Sequence, residues 1–293
     1  MNEKKYQTPE AFRAAIEARA KKLRDESGEG LDMVRRKLAF EAFLCRVTPS
    51  GVPLILKGGY LLHLRYNTGV RPTKDLDAAL QEVDLEKQRP KEIERRMREA
   101  LQLVAASPAD YFFSFEIGES MADLGLGREF TGYRFNVNAR IGSRVFDSFH
   151  IDCTTGDALI DPFDTMTVGG GLAFAGLPLA KVNTIREGQH FAEKLHALCR
   201  PRTKRNSRVK DLFDMVLFVK QGVEPAAVAN ALPTVFAVGG NLAIPKTLPE
   251  PPQEWRAAYD EMARENKLES TFDDACRIVA QFYDVVLRII ASA

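Results

Sequence analysis

The sequence predicts an α+β protein in which a sheet-bearing first part is followed by a helical second part. Between residues 133 and 141 the apolar side chains Tyr133, Phe135, Val137 and Ala139 alternate with polar ones, as in a strand buried on one face. From about residue 180 onward the apolar spacing becomes helical, and three glycines at 169–171 separate the two regions. We therefore expect helices over 1–50 that brace the core, a sheet-bearing lobe over 51–170 and a helical lobe over 171–293.

Local signals place the elements of the first part in order. Thr8 is the expected N-cap of a first helix, with Pro9 at its first position, and a second helix follows the Gly28-Glu29-Gly30 break. A strand at 53–56, a short helix at 60–66, a strand ending at 80 and a charged helix at 85–106 are expected next. Strands at 111–117, 133–141 and 145–153 follow, the last two joined by a Gly142-Ser143 hairpin turn.

The second part reads as a series of helices. Thr184 and Glu187 have the spacing of a capping box at the start of one of them. Further helices are expected at 208–219 and 223–232, and two more close the chain after a proline-rich connector. The apolar stripe predicted for the last helix consists of Ile278, Phe282, Val285 and Ile289.

Length and composition describe an ordinary globular protein. Of 293 residues, 45% are apolar and 28% charged, and the net charge of +1 gives no global attraction to a polyanion. The four cysteines, at positions 45, 153, 199 and 276, form no paired motif and indicate reduced, buried thiols. No long apolar run follows the N-terminus or occurs elsewhere, so we expect neither secretion nor a membrane span, and a cytoplasmic location.

The most informative motif is a glycine pair followed by two closely spaced carboxylates. Gly58 and Gly59 end an apolar strand and open a helix, an arrangement that lets the backbone approach a phosphate. Asp75 and Asp77 are two residues apart on a strand and therefore project from one face, where they suit Mg²⁺ bridging to substrate phosphates. The alternative interpretation is a tight turn followed by two solvated acids.

A third acid is expected if the site activates a hydroxyl or holds a second metal ion. Asp152, near the end of the strand at 145–153, is the candidate, and the alternative is an acid that serves only the following turn. Asp147 lies five residues earlier and is expected on the opposite side of the strand. The four histidines have no metal-ligand spacing and are read as non-ligands.

The helical part carries a second set of charged residues. Lys194 borders the apolar stripe of one helix, and Asp211 and Asp214 share one face of the next. These residues are candidates for phosphate contact and its support, and the alternative is a structural ion pair between two packed helices.

Basic residues are concentrated in two places. Near the glycine pair, Lys57, Arg71 and Lys74 are candidates for phosphate contact, or else ordinary surface charges. Residues 200–210 contain six cations and no acid, which favours binding of a triphosphate or an RNA backbone over a merely solubilising role. The six are Arg200, Arg202, Lys204, Arg205, Arg208 and Lys210.

Four ordered motifs over roughly residues 30–220 resemble those of the AbiEii toxin family, which includes the MenT-type toxins. They are Lys57-Gly58-Gly59, Arg71-Pro72-Thr73-Lys74-Asp75-Leu76-Asp77, Glu193-Lys194-Leu195-His196-Ala197 and Arg208-Val209-Lys210-Asp211-Leu212-Phe213-Asp214. The resemblance implies a DNA polymerase β-like nucleotidyltransferase lobe, a helical C-terminal lobe and an active site in the cleft between them. The sequence departs from the family at Tyr60, where a small hydroxyl residue is more usual.

The resemblance also implies roles for individual residues. Asp75 and Asp77 would hold Mg²⁺ with Asp152 as the third acid, and Gly58 and Gly59 would cradle the triphosphate. In the helical part, Lys194 would contact nucleotide phosphate, Asp214 would orient or support it, and Asp211 would assist.

The activity implied is that of a toxin which adds nucleotides from an NTP, CTP or another pyrimidine NTP being favoured, to the 3′ end of tRNA. Such addition blocks aminoacylation and translation, and a cognate antitoxin is the expected partner. Two alternatives stay open at this point. One is a nucleotidyltransferase with a small-molecule or protein acceptor, and the other is a catalytically idle RNA- or protein-binding module.

Overall fold

The computed structural model describes residues 5–66, 69–81, 89–108, 112–124, 131–200, 208–238 and 242–292. These form two compact units. The first comprises residues 1–64, 72–156 and 164–184, and the second comprises 65–71, 157–163 and 185–293. The sheet-bearing unit thus extends to residue 184, beyond the 170/171 boundary predicted from the glycines, because two further strands after residue 163 join the same sheet.

A seven-stranded mixed sheet forms the centre of the first unit. In spatial order the strands are β3-β4-β5-β2-β1-β7-β6. Their ranges are β1 Leu54–Lys57, β2 Asp75–Leu80, β3 Phe113–Asp123, β4 Thr131–Ile141, β5 Arg144–Thr155, β6 Asp164–Val168 and β7 Ala180–Thr184. The β2–β5 and β1–β7 pairs are parallel, and the other pairs are antiparallel. In this order β2 lies between β1 and β5, in the interior of the sheet.

Within the part of the chain that the structure describes, five helices belong wholly or mainly to this unit: α1 Pro9–Ser27, α2 Leu31–Leu44, α3 Val47–Ser50, α4 Gly58–Tyr66 and α5 Pro90–Ala106. The predicted start of α1 is confirmed, since the Thr8 side chain accepts a hydrogen bond from the Ala11 N–H and Pro9 opens the helix. The strands predicted in this unit are also found, several of them longer than expected, and Gly142-Ser143 is the two-residue hairpin loop between β4 and β5.

Along β3, β4 and β5 one face of the sheet is apolar and the other is mainly polar. On the apolar face, Phe40 of α2 packs edge-on against Phe149 of β5, with ring centroids 4.9 Å apart, and Phe43 packs against Phe115 of β3. Along β4, buried Phe135 and Val137 alternate with half-buried polar residues. Burying large aromatic rings in this way contributes roughly 2–3 kcal/mol each, which fixes the face that every strand presents to the core.

The second unit is helical, with α6 Glu187–Cys199, α7 Val209–Lys220, α8 Pro225–Val238, α9 Arg256–Glu265 and α10 Phe272–Ser292. The predicted capping box at the start of α6 is wrong. Thr184 is the last residue of β7, and α6 begins at Glu187 after Arg186, whose side chain makes no capping hydrogen bond. Thr184 pairs with both Leu56 and Asp164, so ladder hydrogen bonding overrides the local capping signal.

The predicted apolar stripe of the last helix is also wrong. The buried residues of α10 are Phe272, Ala275, Val279, Tyr283 and Val286. Val285 is 37% exposed, and Ile278, Phe282 and Ile289 are only half-buried. Apolar residues cover more than one face of this helix, so two adjacent stripes satisfy the same spacing and only packing chooses between them.

No helix within the described residues is long and apolar enough to span a bilayer.

Candidate active site

A row of charged side chains crosses the polar face of the sheet. Strand register places Lys57 opposite Asp77, Asp77 opposite Asp152, and Asp152 opposite Arg134 on four adjacent strands. Directly paired residues point to the same face, and Asp75, two residues before Asp77, points there too. The predicted grouping of the two carboxylates of β2 with Asp152 is therefore present, and Asp152 lies within β5 rather than in the turn that follows it.

Both oxygens of the Asp75 carboxylate have a neighbour. The His150 Nδ1 lies 3.3 Å from Oδ1, and the Arg134 Nη2 donates to Oδ2 at 3.2 Å. Arg134 also donates from Nε and Nη2 to the two oxygens of Asp152, both at 2.7 Å. The hydrogen bonds to Asp152 raise the pKa of the Arg134 guanidinium, with a smaller contribution from Asp75.

The glycine pair is shaped around Asp77. Gly58 has a φ of +68°, in the left-handed region, and a Cβ added there would lie 2.0 Å from Asp77 Oδ2 and 2.4 Å from its Cβ. Gly59, the next residue of α4, donates its backbone N–H to Asp77 Oδ2 at 3.3 Å. The start of α4 thus holds the Asp77 carboxylate, and this contact is a structural reason for glycine at both positions.

The donor set suits a hard divalent cation. Asp75 and Asp77 offer carboxylate oxygens on one face, and Mg²⁺ uses one or two carboxylates with water and substrate phosphates rather than a closed protein cage. Within the described ranges, no three His, Cys, Asp or Glu side chains are grouped so as to hold a metal by themselves. Two carboxylates on one face fit an ion whose remaining ligands come from water and substrate phosphates.

Other candidates near the glycine pair differ in their surroundings. Lys57 is 8% exposed within the sheet, whereas Lys74 is exposed. Tyr60 is fully buried and packs on Phe40 with ring centroids 5.0 Å apart, and burial raises the pKa of its hydroxyl. Tyr60, the residue at which the sequence departs from the family pattern, therefore belongs to the apolar core.

A second charged cluster lies in the second unit around Asp214, which is completely buried. Arg71 donates to both of its oxygens, at 3.0 and 2.8 Å, and Lys194 Nζ lies 2.6 Å from Oδ2. Lys194 also contacts Asp211 at 3.3 Å, and Arg208 contacts the other oxygen of Asp211 at 3.3 Å. The predicted association of Lys194 with the two acids of α7 is therefore observed, and Arg71 joins it.

Ionisation of this cluster is maintained by its own charges. Burial alone would raise the pKa of Asp214, but Lys194 and Arg71 outweigh it and lower that pKa. Burial alone would lower the pKa of Lys194, but Asp214 and Asp211 outweigh it and raise that pKa. Within the described residues, Lys194, Arg71 and Arg208 lie beside these two carboxylates, and their positive charges can attract an anion.

The basic segment is only partly within the described residues. Arg200 and Arg208 are half-buried and Lys210 is exposed. Arg202, Lys204 and Arg205 lie outside the described residues.

Sequence reasoning placed Asp147 correctly and missed two neighbours of Asp75. Asp147 forms an ion pair with Arg36 of α2 at 2.9 Å, away from the charged row. Arg134 and His150 received no role from the sequence. Their signal lies in strand register, because His150 pairs with Asp75, and Arg134 with Asp152, across adjacent strands.

The chain is similar to known nucleotidyltransferase toxins in both sequence and fold. The family model described as nucleotidyl transferase AbiEii toxin, type IV TA system, matches residues 42–277. Among solved structures, MenT4, the nucleotidyltransferase toxin Rv2826c from Mycobacterium tuberculosis H37Rv, superposes with a TM-score of 0.54 at 16% identity. That match covers 96% of this chain and 98% of the MenT4 chain, and at this identity it shows a shared fold. No curated protein sequence matches the chain.

Proposed function

Since the chain belongs to the AbiEii family of nucleotidyltransferase toxins, we propose that it transfers a nucleotide from an NTP to the 3′ end of tRNA. The observation that carries the proposal is the pair Asp75 and Asp77 on one face of the sheet, with Asp77 set against the glycine turn that opens α4. This is the arrangement expected of a site that binds a metal-bound triphosphate.

In the proposed reaction the RNA 3′-hydroxyl attacks the α-phosphate of the NTP and pyrophosphate leaves. Asp75 and Asp77 would hold Mg²⁺, which would supply neutralisation of the charge that develops on the phosphate oxygens. Gly59 N–H fixes one oxygen of Asp77, so that carboxylate is held in one orientation before substrate binds. Asp152 is the proposed third acid, and its position beside Asp77 supports a part in orienting the row.

Lys194 is the proposed phosphate contact of the second unit. Asp214 fixes its ammonium group at 2.6 Å, and Arg71 keeps Asp214 ionised so that Lys194 stays charged. The cations of this cluster favour binding of a polyphosphate. Lys57, Arg71, Lys74 and Asp211 are also assigned to the nucleotide. The first three lie near the glycine pair and Asp75 in the sequence, and Asp211 contacts Lys194.

The proposed acceptor is tRNA, and the six cations of the 200–210 segment are its proposed contacts. Nucleotide addition there would block aminoacylation and hence translation, which accounts for toxicity in a two-component system. We propose a pyrimidine NTP as donor and a cytoplasmic site of action, where tRNA and NTPs occur together. Membership of a toxin–antitoxin family implies a cognate antitoxin.

The test is transfer of label from each of the four α-labelled NTPs to total tRNA with Mg²⁺. The wild-type protein is compared with Asp75→Asn and with Asp147→Asn, a carboxylate of the same sheet that pairs with Arg36. We expect labelled tRNA with the wild type and with Asp147→Asn, and none with Asp75→Asn at unchanged thermal stability. Full transfer by a folded Asp75→Asn protein would show that the metal assignment is wrong.

The acceptor is tested separately by reversing charge in the basic segment. The triple variant Arg202→Glu, Lys204→Glu, Arg205→Glu is expected to lose transfer to tRNA while binding NTP as the wild type does. Unchanged transfer would favour a small-molecule or protein acceptor. Toxicity that survives Asp75→Asn would instead favour an idle binding module.

A further inference from the structure

The charged row contains a cation of its own. The Arg134 Nη2 lies 3.2 Å from Asp75 Oδ2 and 2.7 Å from Asp152 Oδ2, so one nitrogen joins carboxylates from two adjacent strands. One cation therefore neutralises charge on two of the three acids of the row. The Arg134 side chain is half-buried on the polar face of β4 and does not belong to the apolar core.

The two contacts of Arg134 are unequal. Asp152 receives two hydrogen bonds in the forked geometry typical of strong arginine–carboxylate pairs, and it is 15% exposed. Asp75 receives a single longer contact and is 30% exposed. Arg134 is therefore anchored on Asp152 and reaches from there to Asp75, and the contact with Asp75 is the one that breaks more easily.

We propose that Arg134 is a built-in counter-ion which occupies Asp75 in the metal-free protein and yields that carboxylate when a divalent cation binds. Arg134 remains on Asp152 during this exchange. The inference rests on the proposed metal site, and it makes Arg134 a positioning residue that acts through the carboxylates.

A consequence is that the metal ion binds weakly without nucleotide. A divalent cation alone and a cation bound to a triphosphate displace Arg134 from Asp75 at the same cost, but the triphosphate supplies further oxygen ligands that offset this cost. Arg134 thus keeps three neighbouring carboxylates from repelling one another and disfavours loading of the metal without substrate.

The experiment is titration of the nucleotide-free protein with Mn²⁺, a spectroscopic substitute for Mg²⁺, with free Mn²⁺ read by electron paramagnetic resonance. We expect Arg134→Gln to bind Mn²⁺ about tenfold more tightly than the wild type, because a charge-assisted but partly exposed contact no longer competes. Arg134→Lys keeps the positive charge but cannot make the paired hydrogen bonds to Asp152, so it should give a smaller increase in Mn²⁺ affinity. This variant replaces Arg134→Gln in the test if Arg134→Gln does not fold.

Arg140→Gln is the matched control. Arg140 lies on the same strand and face and is 31% exposed against 34% for Arg134, but it pairs with Glu116. Its removal should leave Mn²⁺ affinity unchanged. Asp77→Asn should abolish Mn²⁺ binding and so identifies the site that is titrated.

The outcomes separate the two proposals. Binding that is lost in Asp77→Asn but equal in the wild type and Arg134→Gln would overturn the role of Arg134 and leave the metal site standing. Weaker binding by a folded Arg134→Gln would show that Arg134 aligns the metal ligands and does not compete. No Mn²⁺ binding by any variant would overturn both proposals.

Discussion

Replacing Gly58 by alanine should damage the fold and the metal site together, through two separable effects. The first is backbone strain, because alanine must adopt a φ of +68° at a cost of about 1–2 kcal/mol. The second is a collision, since the new methyl group would lie 2.0 Å from Asp77 Oδ2 and 2.4 Å from Asp77 Cβ. Rotation of the Asp77 side chain moves the oxygen but not its Cβ, so the backbone itself must shift, at roughly 1–3 kcal/mol more.

Gly51 provides the control for strain alone. Its φ is +70°, and a Cβ added there would meet nothing within 4 Å. In denaturant unfolding we therefore expect Gly51→Ala to cost about 1–2 kcal/mol and Gly58→Ala roughly 2–5 kcal/mol. Mn²⁺ binding should be weakened only by Gly58→Ala.

Double variants identify the colliding atoms. In an Asp77→Ala background the Cβ of residue 77 remains, so Gly58→Ala should still cost more than Gly51→Ala. In an Asp77→Gly background that Cβ is gone and the extra cost should disappear. Equal costs for Gly51→Ala and Gly58→Ala in the wild-type background would refute the reasoning.

Three further predictions concern buried charge. Lys194→Met leaves buried Asp214 and Asp211 short of a cation and should lower the free energy of unfolding by about 3 kcal/mol, whereas Lys220→Met, at an exposed site on α7, should change it little. Burial, with help from Lys37, lowers the pKa of His63 from 6.5 to about 4, so wild-type stability should fall by about 3 kcal/mol relative to His63→Gln as the pH drops through that range. Burial raises the pKa of Glu41 from 4.5 to about 7, so stability should fall as the pH rises through that range, and Glu41→Gln should remove this loss, about 3 kcal/mol at pH 8. Urea unfolding as a function of pH measures all three, and a pH dependence unchanged by the last two variants would contradict the histidine and glutamate predictions.

Much of the fold follows from local signals because these signals are strong where single elements begin and end. The Thr8-Pro9 start, the alternation along β4 and the Gly142-Ser143 turn all predict what the structure contains. The pair Asp75 and Asp77 was found for the same reason, since i and i+2 on any strand share a face.

The partners of the acids depend instead on register, which the sequence does not reveal. Near the hairpin turn Ile141 pairs with Arg144 and Arg140 with Val145, but beyond a bulge Ala139 pairs with Asp147. If the register of the turn continued, Arg134 would lie opposite Ile151. The one-residue shift at the bulge places it opposite Asp152 instead. No residue of the hairpin marks the bulge, so the arginine in the acid row was not predictable.

Predictions failed where tertiary packing overrules a local pattern. Thr184 and Glu187 have capping-box spacing, yet the sheet extends β7 through Thr184. The surplus of apolar residues in α10 left the buried stripe undetermined until its packing was known.

The central claim is that the carboxylates of β2 serve transfer of a nucleotidyl group to RNA. It is tested most directly by incubating the protein and tRNA with one NTP labelled either at the α- or at the γ-phosphate, wild type beside Asp77→Asn. We predict that the wild type transfers the α-label to tRNA and releases the γ-label in pyrophosphate. A folded Asp77→Asn protein should neither label tRNA nor release pyrophosphate. Label from the γ-phosphate on the tRNA, or α-label transferred equally by Asp77→Asn, would contradict the account.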